Sequence, residues 1–121
     1  MIDEKDELWT ASKKGYIRIY QPDGSLKGYL TPAGTISSQP ISFQKNIYCF
    51  MEDENGVIWM GSKLDGLFQL ERTGNDHFQI RQFTHQEDNP YSLSHNSIYS
   101  IYQDHQKRIW IGCHGGGLNL L

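Results

Sequence analysis

Residues 47–62 read IYCFMEDENGVIWMGS and residues 98–113 read IYSIYQDHQKRIWIGC, and the two stretches align without a gap. Ile47-Tyr48 falls on Ile98-Tyr99, Asp53 on Asp104, Ile58-Trp59 on Ile109-Trp110 and Gly61 on Gly112. The register holds downstream, with Gly66-Leu67 on Gly117-Leu118 and Leu70 on Leu121. A weaker copy opens the chain. Asp3 takes the place of Asp53, Leu8-Trp9 that of Ile58-Trp59 and, once one residue is skipped, Gly15 that of Gly66. The tryptophans Trp9, Trp59 and Trp110 are used once per copy and recur about every fifty residues. Chance can space three tryptophans evenly, but not together with an aspartate and a glycine at matching offsets.

A period of about fifty residues is that of a propeller blade and excludes the shorter helical repeats. Within it the pattern is strand-like. Ile98 to Tyr102, Arg108 to Cys113 and Leu118 to Leu121 are runs of β-branched, aromatic and apolar residues, and Phe78 to Phe83 alternates apolar with polar. No segment sustains a helical period over about ten residues. Each copy therefore yields four short strands, here called inner, second, third and outer. Asp53-Glu54-Asn55-Gly56 is the turn between inner and second strands, where Asn-Gly supplies the positive φ values of a tight hairpin. Pro22-Asp23-Gly24 turns the third strand of the first copy into its outer strand. Gly66 and Gly117 end the next loop, where glycine relieves backbone strain. Each indole is expected to pack between neighbouring blades. The fold class is all-β, a partial β-propeller of two to three four-stranded antiparallel blades. Residues 1–40 form a partial blade, 41–92 a complete blade and 93–121 a partial blade. A ring this incomplete leaves raw edges, so the flanking blades require partners: the remaining blades of a parent propeller or other copies of this chain.

Composition agrees. Charged residues make up 21% and hydrophobic residues 37% of the 121, a globular balance rather than a disordered one. The net charge is −3 and the basic residues are scattered, which argues against nucleic acid as a partner. No apolar run approaches the ~18 residues that span a bilayer, and the charged start MIDEKDE lacks a signal peptide's apolar stretch. No direct membrane contact is expected. Cys49 and Cys113 form no Cys-x-x-Cys pair. Cys49, in an apolar run, reads as a small buried hydrophobe and Cys113 as the more exposed of the two; a disulfide between them is left open by the sequence.

Asn-Ser before the inner strand, Asp at the turn, Trp-x-Gly and Gly-Leu together resemble the two-component regulator propeller repeat. Residues 92–121, SLSHNSIYSIYQDHQKRIWIGCHGGGLNLL, carry Ser94, Asn96, Ile98, Ile101, Asp104, Trp110, Ile111, Gly112, Gly115, Gly116, Gly117 and Leu118 in the family's order. Residues 47–70 carry Glu52, Asp53, Gly56, Trp59, Gly61, Gly66 and Leu67. The first copy departs, with Thr10-Ala11 in place of x-Gly after Trp9. The resemblance implies the periplasmic sensor half of a hybrid two-component histidine kinase. There, two propellers and a β-sandwich domain precede a membrane span, a kinase and DNA-binding parts, and many members sense oligosaccharides. No kinase motif is present in this chain, which would be non-catalytic scaffold or part of a ligand surface, with an oligosaccharide as partner.

In an up-and-down sheet alternate loops share a face. The loops at 85–97, 63–66 and 114–117 therefore lie together, and Lys63, Asp65, Tyr91, His95, Asn96 and His114 are the candidate ligand-binding residues. Tyr91 suits stacking on a sugar ring and the others hydrogen bonding to hydroxyls. The plainer reading of each is a solvated loop residue, and Asn96 also suits a bond to its own backbone. Asp53, Trp59, Gly61, Gly66, Asp104, Trp110, Gly112 and Gly117 recur with the repeat and read as structural. No catalytic residue, metal ligand or cofactor site is assigned. The five histidines lack metal-site spacing. Asp53-Glu54-Asn55-Gly56 lacks the later Glu of a calcium loop, and Gly115-Gly116-Gly117 lacks the Lys-Ser/Thr of a phosphate loop. Glu52-Asp53 and Glu87-Asp88 are chain neighbours that face opposite ways on a strand, poor geometry for an acid/base pair. The alternative to a sensor is a propeller scaffold for protein–protein interaction or self-assembly.

Overall fold

A computed structural model describes residues 1–115 and 117–121; Gly116 of the three-glycine run lies outside them. Strands β1 (Leu8–Ala11), β2 (Ile17–Tyr20), β3 (Leu26–Leu30) and β4 (Ile36–Ser37) form a first sheet. Strands β5 (Ile47–Glu52), β6 (Ile58–Ser62), β7 (Leu67–Gly74) and β8 (His77–Phe83) form a second. Strands β9 (Ile98–Gln103), β10 (Ile109–Cys113) and β11 (Leu118–Leu120) form a third. Every neighbouring pair is antiparallel and strand order follows chain order, so each sheet is a meander. The described residues contain no helix. The all-β blade architecture read from the repeat is the architecture of the chain.

Register shows how the copies superimpose. Trp59 pairs with Gln69 on β7 and Trp9 with Ile19 on β2. The opening strand β1 is therefore the counterpart of β6, a second strand, and the bridge Ile2↔Leu8 stands where Glu52↔Ile58 stands in the second sheet. The first sheet reaches four strands through β4, a two-residue strand on β3 that the sequence pattern did not reveal. It is too short to show a period, and its neighbour Thr35 bridges to His77 of the second sheet.

Three turn readings are corrected. Gly15 is not the counterpart of Gly66, because Ala11↔Ile17 matches Gly61↔Leu67 without a gap and Tyr16 occupies Gly66's place. Of Asn55-Gly56, only Gly56 has positive φ (78°). The turn closes through Gly56 N–H to Asp53 O and Asp53 N–H to Val57 O, so one left-handed residue suffices. Asp6 and Lys107 hold the same conformation in the other copies. Gly66 has φ +81° as expected, but Gly117 does not; its lack of a Cβ instead makes room for the Ser94 hydroxyl, and Gly115 carries the positive φ.

The core is two inter-sheet layers, and strand alternation fills both from β6. Ile58 and Met60 point into the layer against the first sheet, with Trp9, Ile17, Ile19, Leu30, Phe68, Leu70 and Phe78. Trp59 points into the layer against the third, with Leu67, Leu93, Ile98 and Ile111. Every residue of β6 is buried in consequence. Trp9 meets Phe78 edge-on at 5.5 Å and Phe50 at 6.2 Å, so the indole sits between blades as expected. Cys113 is buried and Cys49 only partly so, the reverse of the sequence reading, because Cys113 faces the inter-sheet layer. Both thiols are free, and burial pushes the Cys49 thiol up to about 11.

One hydrogen-bond pattern recurs in all three copies. Trp9, Trp59 and Trp110 each donate the indole N–H to one oxygen of Asp3, Asp53 and Asp104, at 2.9, 3.0 and 2.9 Å. The other oxygen accepts two turn N–H groups: Lys5 and Glu7, Asn55 and Val57, or Gln106 and Arg108. Burial opposes ionisation of Asp3, but the Trp9, Glu7 and Lys5 donors and the Arg72 guanidinium outweigh it and hold its carboxyl below the usual range. The Trp110 indole, helped by Arg108, lowers Asp104 likewise. Glu52 lies beside this cluster. Burial raises its carboxyl, against the Glu4 N–H it accepts, and the Glu4 and Asp3 carboxylates raise it further.

Two outcomes follow. Trp59→Ala is expected to cost about 3–5 kcal/mol in denaturant unfolding, and Trp110→Ala clearly less, since Trp110 is only half-buried. Equal losses would contradict the layer arrangement. Glu52→Gln keeps an acceptor for Glu4 and removes the charge. Because the folded carboxyl is raised, its ionisation costs stability as pH rises from the ordinary value of 4.5 through the higher folded value. The variant should melt above the parent at pH 7, the gain shrinking as pH falls through the raised folded value towards the ordinary glutamate value of 4.5 and vanishing below it; an unchanged or lower midpoint at pH 7 would refute this.

Candidate functional site

Where β6 passes into β7 and β10 into β11, the loops return to the face on which the inner strands begin. Lys63 N–H donates to Asn46 O at 2.8 Å, and His114 N–H to Ser97 O at 2.9 Å. These equivalent bonds fix each loop beside the first residue of an inner strand. Both inner strands then slip register by one residue. Ile47 pairs with Ser62 but Cys49 with Gly61, and Ile98 pairs with Cys113 but Ser100 with Gly112. The extra residue is Tyr48 in one strand and Tyr99 in the other. A bulge of this kind re-aims a side chain and is common beside functional sites.

The two tyrosines stack, with ring centroids 5.6 Å apart and planes 14° apart, yet remain 44% and 51% exposed. Tyr99 OH is 2.8 Å from His114 Nδ1, and its ring meets the imidazole edge-on at 5.5 Å. The His95 ring lies 5.8 Å from that of His114. His95 Nδ1 accepts the Ser97 N–H at 3.0 Å, which leaves a proton for Nε2 in the neutral ring. The result is an exposed run of four rings, Tyr48, Tyr99, His114 and His95, with flat apolar faces and polar edges. Such a surface can pack against the C–H face of a pyranose while hydrogen bonding to its hydroxyls.

The six residues singled out from sequence do not all meet. His95 and His114 join the aromatic run. Lys63 is exposed at the position equivalent to His114, one blade away. Asp65 faces Lys45 at 3.6 Å, and its carbonyl accepts the Gln82 amide. The Asn96 side-chain oxygen accepts the His85 N–H at 2.6 Å, and its carbonyl the Gly66 N–H, so it braces the loop. Tyr91 is 96% exposed and lies apart, lining a groove of about 330 Å³ with Phe83, Leu93, Ile111 and Leu120 between β8 and β11. Tyr48 and Tyr99 were not among the sequence candidates. The signal was present, since both follow an apolar residue at one repeat position, but alternation alone gives no hint of the bulge. No three His, Cys, Asp or Glu side chains gather as a metal-holding group among the described residues.

Meander sheets stacked through an indole layer, each with a carboxylate-braced turn, define blades of a propeller. Residues 41–63 and 92–115 match the model of the two component regulator propeller. The extracellular domain of a putative one component system from B. thetaiotaomicron superimposes with a TM-score of 0.76 at 24% identity, over 100% of this chain and 14% of that one. The extracellular domain of a putative hybrid two component system from the same organism gives 0.68 at 26%, over 99% of this chain and 14% of that one. Histidine kinase P4 of Formosa agariphila is 23% identical over 116 residues, 96% of this chain and 8% of that protein. The chain thus spans a small fraction of the proteins it is similar to.

Proposed function

We propose that this chain is part of the sensing propeller of a bacterial hybrid two-component receptor and acts without catalysis, outside the cytoplasm, by presenting a loop face to an oligosaccharide. In this reading residues 41–92 are a complete blade between partial blades at 1–40 and 93–121. The likeness to extracellular domains of bacterial signalling systems supports the setting. The observation that carries the ligand is the exposed Tyr48–Tyr99 stack braced by His114, flat aromatic surface placed by bulges in two successive blades. The buried layers gain nothing from these exposed tyrosines, whereas a pyranose face packs well on flat aromatic rings.

A second reading, a scaffold that associates with copies of itself, is favoured by the outward face of the third sheet. Leu118 and Leu120 are 68% and 54% exposed there, beside Trp110 and Tyr102, whereas Leu67 and Trp59, the counterparts of Leu118 and Trp110, are buried. An apolar face built like an inter-blade layer invites another blade.

Titration of an oligosaccharide panel into the chain is expected to give saturable heat with at least one member. Tyr99→Ala should weaken that binding about three- to tenfold, the range expected for loss of ring packing. A panel with no saturable member would overturn the ligand reading. For the second reading, sedimentation equilibrium should show concentration-dependent association that Leu118→Glu abolishes; a parent chain that stays monomeric at high concentration would overturn it.

A further inference from the structure

The loops that return to the ligand face open with a basic side chain in every blade. Ser12, Ser62 and Cys113 hold one position, each donating its N–H to the carbonyl four residues on: Tyr16, Gly66 and Gly117, at 3.0, 3.0 and 2.7 Å. The next residue is Lys13, Lys63 or His114, and all three are exposed. His114 touches Tyr99, so Lys63 stands to Tyr48 as His114 stands to Tyr99. Elsewhere Lys27, Lys45, Lys107, Arg72 and Arg108 each meet a carboxylate. Among the described residues Lys13 and Lys63 enter no ion pair, and neither do Lys5, Lys14, Arg18 and Arg81. Asp65, the acid of the 63–66 loop, is already matched by Lys45, while Glu87 and Asp88 stand on the 85–97 loop. The basic position recurs in all three sheets, as lysine in the first two, and in the second it stands next to a tyrosine re-aimed by a bulge, where it has no part in holding the sheets together.

We infer that the ligand of this face is an acidic saccharide, a pyranose bearing a carboxylate or sulfate: its ring packs on Tyr48 and Tyr99, and Lys63, with Lys13 in the neighbouring blade, meets the anionic group. This rests on the oligosaccharide reading above and narrows it. Lysine serves here as a mobile point charge, suited to an anion whose position varies along a sugar chain. His114 contributes the ring nitrogen that Tyr99 does not engage.

The experiment is calorimetric titration of the whole chain with three oligosaccharide sets of matched length: neutral, uronate-containing and sulfated. At least one acidic set should bind about tenfold tighter than the neutral one and weaken as salt rises. Lys63→Ala should lose about tenfold for the acidic ligands, the scale of one charge-assisted hydrogen bond, and Lys63→Arg should retain most of the affinity. Lys5→Ala, which removes the same charge from the opposite end of the first sheet, should change nothing, which separates a local contact from net charge. Preference for uronate over sulfate, or the reverse, identifies the anion. Equal affinity for neutral and acidic sets, or a Lys63→Ala chain that binds as the parent does, overturns the inference while the saccharide reading stands. Binding by no set overturns the saccharide reading itself.

Discussion

A carboxylate that grips an indole with one oxygen and a turn with the other organises this chain. Each grip joins the turn before a second strand to the start of that strand. The indole then cannot leave the inter-sheet layer without breaking a charge-assisted bond, and the turn cannot open without stranding two backbone N–H groups. Where a following sheet exists, the same ring becomes the centre of the packing. Trp9 gains Phe78 and Phe50 from the second sheet, and Arg72 of β7 reaches back to Asp3 at 3.1 Å while lying over the Phe78 ring. Blade stability and blade-to-blade adhesion are therefore set by one repeated residue pair.

That arrangement frees the opposite end of each sheet. The carboxylate turns lie at one end of the strands, and the loops at 63–66, 85–97 and 114–117 at the other. These loops carry few of the layer contacts, so their side chains can vary while the frame stays fixed. The aromatic run at this end is built by strand geometry rather than by long loops. One extra residue per inner strand turns Tyr48 and Tyr99 out of the packing and against each other. A repeated bulge thus converts a repeated sequence position into a repeated surface, and repetition around an axis suits ligands that are themselves built of repeated units.

The three sheets differ in what their outer faces can accept. β6 is buried on both sides, whereas the corresponding face of the first sheet carries Thr10, Arg18 and Tyr20 in place of Met60, Phe68 and Leu70. Arg18 lies over the rings of Tyr16 and Tyr29, at 5.5 and 5.3 Å. That face is closed by cation–π contacts of its own, while the third sheet leaves Leu118 and Leu120 open. The two ends of the stack are chemically unlike, which gives the arrangement a direction.

By itself the sequence determined the period, the strand pattern and the recurrence of one aspartate and one tryptophan per copy, because these rest on local spacing and on alternation that short strands enforce; that the two side chains bond to each other came from the structure. It also placed His95, His114 and Lys63 on one face, because meander topology assigns every loop to an end. Tertiary structure alone decided that Tyr16 and not Gly15 stands in for Gly66, that β4 adds a strand, that Cys113 is buried, and that Tyr91 lies apart from the histidines. Each of these turns on register or on contact between sheets, and neither leaves a mark on residue order. The same holds for the stacked tyrosines. A one-residue bulge reverses which way a side chain points, and only the partner strand reveals that the residue is extra.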